Sequence, residues 1–187
     1  ALVNDEPFGV FLGDDIIGGA TTPCMKQLLD VFERHDGPVI AVERVPRERI
    51  HQYGVIAGRN IGGNVWEITD LVEKPRQQDA PSDMAIIGRY VLPPEIFPIL
   101  EAQRPGVGGE IQLTDGLAVL AREKGLLGYR FEGDRYDAGD RVGYLKANIA
   151  FAMKRPERFF KSAARCASIS AAFSFLTPRR CCTSSGE

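Results

Sequence analysis

The chain has 187 residues, of which 44% are hydrophobic and 26% are charged, and its formal net charge is -2 at pH 7. This composition is typical of one globular domain, and the near balance of charge excludes a general attraction to nucleic acid or anionic membranes. The sequence has no apolar run near the roughly 20 residues that span a bilayer and no signal-peptide pattern at its N-terminus, so we expect a cytoplasmic protein.

The first part of the sequence predicts a strand, a helix and a second strand. The run PFGVFLGDDII is apolar until the tripeptide GDD, which is typical of a buried parallel strand that ends in a loop. Thr21 or Thr22 can cap the next helix, with Pro23 in its first turn. The predicted apolar face of this helix is formed by Met25, Leu28, Leu29 and Phe32. The β-branched run PVIAVERV predicts the next strand, which completes a βαβ unit.

The middle of the chain predicts a mixed sheet with further helices. The runs YGVIAG, NVWEITDLVEKP and AIIGRYVLP are strand-like and are separated by Gly, Asn and Pro, which favours antiparallel or mixed pairing. PPEIFPILEAQ, QLTDGLAVLAREKG and RVGYLKANIAFAMKR predict helices, and LLGYRFEG predicts a strand. In the second of these helices Thr114 and Asp115 are candidate caps, and Gly125 can end it. Its predicted face is formed by Leu117, Leu120 and Ala121. The predicted class is α/β with a mixed sheet.

The C-terminal residues 161–187 differ from the domain predicted at residues 1–160. They are rich in Ala, Ser and Cys and show no clear periodicity, so we expect a poorly ordered tail. Three of the four cysteines lie in this segment and none forms a C-x-x-C pair, which argues against a zinc site or a disulfide framework.

Two acidic segments could hold a cation beside phosphate. Asp14 and Asp15 follow a strand-like run, and α/β sheets place ligands beyond the carboxyl ends of their strands. Asp137 also follows a strand-like run, and Gly139 allows a close turn before the next helix. Mg²⁺ takes one or two carboxylates and completes its shell with water and phosphate oxygens, so one ion could join Asp14 and Asp137. The alternative is that these residues only form turns or cap a helix, as Asp140 could.

The pair Glu73-Lys74 ends a strand-like run and is followed by Pro75. Adjacent residues in a regular strand point to opposite faces. Pro75 ends ladder hydrogen bonding and favours an extended Lys74, so we expect the backbone to turn and to bring both side chains to one cleft. A carboxylate can accept from two sugar hydroxyls and an ammonium can bind phosphate, although a solvated charge pair is the simpler interpretation of these residues alone.

Several segments together resemble one enzyme family. They are FLGDDII, VPRERIHQYGVI, VEKP, APSDMAIIGRYVLPPEIFPIL, GVGGEIQLTDGLAVL and YRFEGDRYDAGDRVGYLKANIAFAMK, which occur in this order over about residues 1–158. In order and spacing they resemble the bacterial UTP:glucose-1-phosphate uridylyltransferases, also called UDP-glucose pyrophosphorylases. The related glucose-1-phosphate thymidylyltransferases share the EKP motif and the strand-end aspartates.

This resemblance implies a Rossmann-like nucleotidyltransferase fold and an enzyme that converts UTP and glucose 1-phosphate to UDP-glucose and pyrophosphate. Asp14 and Asp137 would hold Mg²⁺ and, with Lys74 at the sugar phosphate, would form the catalytic group. Glu73 would bind glucose hydroxyls. The remaining implied substrate-binding residues are Gly54, Ile86 and Gly88. Nucleotidyl transfer requires mainly alignment of oxygens and neutralisation of charge, so this implied chemistry needs no Ser-His or Cys-His nucleophile.

The sequence departs from this family near its N-terminus. The family begins with a strand and a glycine-rich loop of the type G-x-G-T-R-x-x-P-x-T-K that holds the nucleoside triphosphate, and no segment here matches it. We therefore expect the C-terminal portion of a longer enzyme, with the N-terminal part of the fold missing and with impaired activity. Relatives commonly assemble as dimers or tetramers, so a homo-oligomer is possible.

Three other functions remain open at this point. A glucose-1-phosphate thymidylyltransferase would share the EKP motif and the strand-end aspartates. A UDP-sugar-dependent glycosyltransferase also holds a metal and a diphosphate with acidic residues after a strand, but it would not predict EKP and YDAGD at these spacings. A noncatalytic interaction module is the third alternative, and it predicts no binding of UDP-glucose.

Overall fold

The computed structural model describes residues 3–106 and 109–154, and within them it contains eight strands and four α-helices. The strands are β1 (Phe8–Phe11), β2 (Asp15–Gly18), β3 (Val39–Arg44), β4 (Gly54–Gly62), β5 (Val65–Glu73), β6 (Met84–Leu92), β7 (Leu127–Arg130) and β8 (Asp134–Asp137). The helices are α1 (Cys24–His35), α2 (Ile96–Ala102), α3 (Leu113–Lys124) and α4 (Arg141–Met153), with a 3-10 helix at Arg47–Gln52. The predicted tail at residues 161–187 lies outside the described residues.

Six strands of the described part of the chain form one mixed sheet, in the order β1-β6-β3-β7-β5-β4. β3 lies inside this sheet and pairs antiparallel with β6 and parallel with β7. Its residues from Val39 to Val42 are buried, as expected for a strand that is covered on both faces. β4 pairs antiparallel with β5 and also meets β6 through Val55 and Ala85. The predicted α/β class with a mixed sheet is therefore confirmed.

The two strands of the predicted βαβ unit are parallel, but they are not neighbours in the sheet. β1 and β3 run in the same direction, because each pairs antiparallel with β6, but β6 lies between them. β1 is also not the buried parallel strand that its apolar run predicts. Phe8 and Val10 are partly buried, whereas Gly9 and Phe11 are exposed, and this alternation is typical of an antiparallel strand with one covered face.

A separate pair of strands, β2 and β8, forms a two-stranded antiparallel sheet. The sequence predicts one strand over PFGVFLGDDII, but the structure divides this run into β1 and β2, because Gly13 and Asp14 form a turn between them. The register of β2 and β8 places Asp15 directly opposite Asp137. This small sheet therefore brings the two predicted acidic segments together.

The helix α1 covers the sheet with most of its predicted face, because Leu28 is buried and Met25 and Phe32 pack against the core. Its buried residues are Cys24, Gln27, Leu28 and Val31. Leu29, predicted to be covered, is 38% exposed. The side chain of Gln27 donates to the carbonyl oxygens of Thr22 and Glu132 and accepts from the Glu132 N–H, which orients this face of the helix. Pro23 occupies the N-cap position, where the sequence predicts a threonine.

The helix α3 confirms its predicted face and end but not its predicted cap. The predicted face is buried and is formed by Leu117, Leu120 and Ala121. Gly125 follows the helix with a φ of 82°, a conformation that favours glycine. The N-cap residue is Gln112 instead of Thr114 or Asp115. None of the helices in the described part of the chain is long and apolar enough to cross a membrane.

Candidate active site

A cavity of about 400 Å³ lies between the start of β4, the end of β5, the middle of β6, the start of α3 and the β2–β8 sheet. Pockets of this size are typical of small-molecule sites. All seven residues that the sequence resemblance implied as site residues line it, namely Asp14, Gly54, Glu73, Lys74, Ile86, Gly88 and Asp137. They come from five separate segments of the chain, so the fold brings them together.

Asp14 and Asp137 form the acidic end of this cavity. The Asp14 carbonyl accepts from the Ala138 N–H at 2.7 Å, and Asp137 Oδ1 accepts from the Gly139 N–H at 3.0 Å. A Cβ atom on Gly139 would lie 3.1 Å from Asp137 Oδ1 and 3.5 Å from Asp14 Oδ2. Both carboxylates therefore face one small space that the glycine leaves open.

This pair of carboxylates suits a hard divalent cation that takes its other ligands from bound phosphate and water. Within residues 3–106 and 109–154, no group of three or more His, Cys, Asp or Glu side chains could hold a metal ion. Mg²⁺ commonly uses one or two carboxylates and keeps several waters and phosphate oxygens. Asp14 and Asp137 fit that pattern and do not form a complete cage of protein ligands.

Glu73 and Lys74 both face the cavity, but the backbone achieves this in a way that the sequence did not predict. Lys74 has a φ of 44°, in the left-handed region, and is not extended. Its N–H donates to the Tyr53 carbonyl at 3.0 Å, and this long-range bond outweighs the preference that Pro75 imposes on its neighbour. The turn places Lys74 Nζ 3.6 Å from Glu73 Oε1.

The strained conformation of Lys74 leads to a testable difference between two variants. A left-handed conformation costs an L-residue about 1 kcal/mol, whereas glycine adopts it freely. We therefore expect the free energy of unfolding of Lys74→Gly to exceed that of Lys74→Ala by about 1 kcal/mol, although both lack the ammonium. Urea unfolding measures the difference, and equal values for the two variants would contradict the strain.

The helix α3 orients the carboxylate of Glu73. Thr114 Oγ1 donates to Glu73 Oε2 at 2.5 Å, and Thr114 is only 8% exposed. The sequence suggests a capping role for this threonine, but its hydroxyl instead fixes a site residue. Gly54 lies against the same group, because a Cβ atom there would be 2.8 Å from Ile86 Cδ1 and 2.9 Å from Thr114 Oγ1. The space beside Glu73 therefore depends on glycine at position 54.

Asp15 supports the opposite wall of the cavity. Its Oδ2 accepts from the Gly88 N–H at 2.8 Å, and the residue is 7% exposed. A Cβ atom on Gly88 would lie 2.6 Å from Leu12 Cβ and 2.8 Å from Asp15 Oδ2, so the wall also depends on this glycine. Asp15 therefore has a supporting role, while Asp14 faces the space beside Gly139.

The cavity carries more negative than positive charge. Four carboxylates line it, those of Asp14, Asp15, Glu73 and Asp137, together with the two cations Lys74 and Arg135. Tyr90 also lines it, and burial, followed by the negative charges of Asp15 and Glu73, raises the pKa of its hydroxyl. Tyr90 therefore remains neutral. Because negative charges outnumber positive charges in this cavity, a phosphate group that enters it needs a cation beside it.

Arg135 is a cavity residue that the sequence analysis does not identify. Its Nε atom binds the Asp15 carboxylate, and its Nη2 lies 3.5 Å from Asp137 Oδ2. Burial opposes the charge, but the hydrogen bond with Tyr53 and the charge of Asp15 outweigh it, so the pKa of Arg135 is raised. A signal was present in the sequence, because Arg135 and Asp137 are two residues apart and would share one face of a strand.

The fold is that of a nucleotidyltransferase domain, and its mixed sheet carries a polar cavity lined by paired carboxylates and a lysine. The chain belongs to the nucleotidyl transferase family, because residues 1–154 match the model of the family described as "Nucleotidyl transferase". Enzymes of this kind generally use a divalent metal ion. The family and the fold predicted from the sequence are thus confirmed.

Curated bacterial relatives share the name UTP–glucose-1-phosphate uridylyltransferase. The protein from Staphylococcus epidermidis is 48% identical over 156 residues, which are 83% of this chain and 54% of that protein. The protein from Streptococcus pneumoniae serotype 4 is 47% identical over 161 residues, with 84% of this chain and 54% of that protein covered. The chain therefore spans about half the length of these relatives.

Solved structures with the same fold include one in complex with UDP-glucose and one with bound UTP. A UDP-glucose pyrophosphorylase complexed with UDP-glucose has a TM-score of 0.79 and 43% identity, covering 82% of this chain and 58% of that chain. A UTP-bound UGPase from Acinetobacter baumannii has a TM-score of 0.76 and 28% identity, covering 89% of this chain and 58% of that chain.

Proposed function

We propose that this chain carries the sugar-phosphate side of the active site of a UTP–glucose-1-phosphate uridylyltransferase. The observation that carries the proposal is the single cavity in which the Asp14 and Asp137 carboxylates lie together with Glu73 and Lys74. One part of this cavity suits a cation and phosphates, and the other suits a sugar phosphate. The names of the relatives and of the similar structures support the same activity.

In this proposal Glu73 and Lys74 bind different parts of glucose 1-phosphate. The Glu73 carboxylate can accept hydrogen bonds from two sugar hydroxyls. Lys74 is 62% exposed in its side chain and can move its compact ammonium onto the phosphate. Gly54 and Gly88 allow the sugar ring to approach the backbone closely, and Ile86 offers an apolar contact to the ring.

The proposed reaction is an in-line transfer of a uridylyl group. A phosphate oxygen of glucose 1-phosphate attacks the α-phosphorus of UTP, a new phosphorus–oxygen bond forms, and the bond to the leaving pyrophosphate breaks. Lys74 orients the attacking phosphate and offsets charge on the oxygens around the reacting phosphorus. Mg²⁺, which Asp14 and Asp137 would hold, would supply charge neutralisation and alignment of the phosphate oxygens when bound.

The ligands of the proposed enzyme are therefore UTP, glucose 1-phosphate and UDP-glucose. A homo-oligomeric assembly and a cytoplasmic location stay predictions from the resemblance and the composition. Because no segment of the sequence matches the glycine-rich loop of the family, we expect binding to be easier to detect than turnover.

Calorimetric titration of the 187-residue chain with UDP-glucose and with glucose 1-phosphate, in the presence of Mg²⁺, tests the proposal. We expect saturable binding by the wild-type chain. Gly54→Ala should weaken binding of both ligands roughly five- to a hundredfold, because its methyl group would occupy the space beside Glu73 that the sugar is proposed to enter. Gly37→Ala is the matched control, since a Cβ atom there would meet nothing closer than 3.8 Å.

Three outcomes would contradict parts of this proposal. A folded wild-type chain that binds neither ligand would contradict the function itself and would favour a noncatalytic module. Equal affinities of the wild-type chain and Gly54→Ala would contradict the assignment of the sugar pocket, which is the part of the cavity lined by Gly54, Glu73, Ile86 and Gly88. Rapid release of pyrophosphate from UTP and glucose 1-phosphate would contradict only the expectation of impaired turnover.

A further inference from the structure

We propose that Arg135 is a positioning residue that fixes the orientation of the Asp137 carboxylate and couples it, through Asp15, to the sugar-pocket wall at Gly88. This inference rests on the proposed function and deepens it. It assigns a task to Arg135, which the sequence motifs leave without a role, and links it to the buried Asp15.

The register of the β2–β8 sheet creates an electrostatic conflict that Arg135 resolves. Asp15 and Asp137 are directly opposite each other, and like charges in that position destabilise a strand pair. Arg135 precedes Asp137 by two residues in β8, so both side chains lie on the same face. Its Nε binds Asp15, and its Nη2 lies 3.5 Å from Asp137 Oδ2. One guanidinium thus holds two carboxylates that would otherwise repel.

Arg135 is itself held from several directions. Its side chain is 10% exposed, and Nη1 lies 3.4 Å from Tyr53 Oη and 3.9 Å from Glu43 Oε2. The guanidinium carbon also lies 5.2 Å from the centre of the Tyr53 ring. A second cavity, of about 560 Å³, lies next to the candidate site, and Tyr53, Arg135 and Asp137 line both. Tyr53, Arg135 and Asp137 therefore form a wall between the two cavities.

Asp15 links Arg135 to the wall of the sugar pocket at Gly88. The Asp15 carboxylate accepts from the Gly88 N–H at 2.8 Å. Arg89 strengthens this junction, because its guanidinium donates to the carbonyl oxygens of both Asp15 and Gly88. A movement of Asp15 would therefore displace the backbone that lines the sugar pocket. Because the planar fork of Arg135 bridges two acceptors, a lysine could not replace both contacts.

The experiment uses Mn²⁺ as the probe ion, because carboxylate and water ligands suit it as they suit Mg²⁺. It measures the Mn²⁺ concentration that half-saturates UDP-glucose binding to the full 187-residue chain, together with the thermal midpoint. We expect Arg135→Gln to raise that concentration by about tenfold or more, as is usual when the supporting partner of a metal ligand is removed. Arg135→Lys keeps the charge but not the fork, so it should show an intermediate increase. Arg122→Gln, which removes a surface arginine paired with Asp70, is the matched control and should leave the concentration unchanged.

A double variant separates positioning from mere stabilisation. Arg135→Gln leaves Asp15 buried without its cation, and Asp15→Asn removes that uncompensated charge while keeping an acceptor for Gly88. We expect the double variant to recover thermal stability relative to Arg135→Gln but to retain the raised Mn²⁺ requirement.

Different results would overturn different statements. If Arg135→Gln lowers the thermal midpoint but leaves the Mn²⁺ requirement unchanged, Arg135 is only structural and the inference is wrong. If the double variant restores both quantities, the contact between Arg135 and Asp137 is not needed to orient that carboxylate, and the inference is wrong as well. A wild-type chain that binds no UDP-glucose would overturn the proposed function, and the inference with it. A wild-type chain that binds UDP-glucose with no response to Mn²⁺ would overturn the inference and the metal-binding role of Asp14 and Asp137, but not the binding of the nucleotide sugar.

Discussion

Glu73→Gln is expected to weaken the binding of glucose 1-phosphate and UDP-glucose by about thirtyfold, which corresponds to about 2 kcal/mol for hydrogen bonds to a charged acceptor. The carboxylate accepts from Thr114 at 2.5 Å and lies 3.6 Å from the Lys74 ammonium. An amide has one acceptor oxygen and no charge, so it cannot serve Thr114, the sugar hydroxyls and Lys74 together. Calorimetric titration with both ligands measures the loss.

Glu67→Gln is the matched control for this prediction. Glu67 lies on the same strand and pairs with Arg59 at the surface, where its side chain is 45% exposed. Ion pairs in such positions contribute little, so the affinity for both ligands should stay within twofold of the wild-type value. If Glu73→Gln binds the ligands as well as Glu67→Gln does, Glu73 does not contact the sugar.

Gly143→Ala is expected to destabilise the chain by at least about 3 kcal/mol, although a glycine-to-alanine change inside a helix normally stabilises by about 1 kcal/mol. The reason is the contact between α4 and β8. A Cβ atom on Gly143 would lie 1.8 Å from the Asp137 carbonyl oxygen and 2.8 Å from Asp140 Oδ2. The helix and the end of β8 must therefore move apart, which displaces Asp137 relative to α4.

Urea unfolding measures this loss, with Gly37→Ala as the comparison. A Cβ atom at position 37 would make only an ordinary contact with the His35 carbonyl oxygen at 3.8 Å, so alanine there should be neutral or slightly stabilising. Where Gly143→Ala stays folded, the Mn²⁺ requirement for UDP-glucose binding should also rise, because Asp137 is displaced. Stability equal to that of Gly37→Ala would show that α4 can shift without cost and would contradict the prediction.

The sequence by itself determined the features whose signals lie within a short window. The face and end of α3 follow from the spacing of Leu117, Leu120 and Ala121 and from Gly125, and all of these are confirmed. The runs that form β4, β5 and β6 are recognisable because strand-like composition and the Gly, Asn and Pro residues that bound each run are local features of the sequence. The motifs likewise named seven residues that share one cavity in the structure, although their roles stay predictions.

Only the tertiary structure decided features that depend on partners far away in the chain. The insertion of β6 between β1 and β3 follows from strand pairing, which a single apolar run cannot specify. Lys74 adopts its left-handed conformation because its N–H reaches the Tyr53 carbonyl, against the local preference before Pro75. Arg135 donates to the carboxylate of Asp15, which lies 120 residues earlier in the chain. Local periodicity reports what a residue prefers, whereas the energy of long-range contacts determines which preference is overruled.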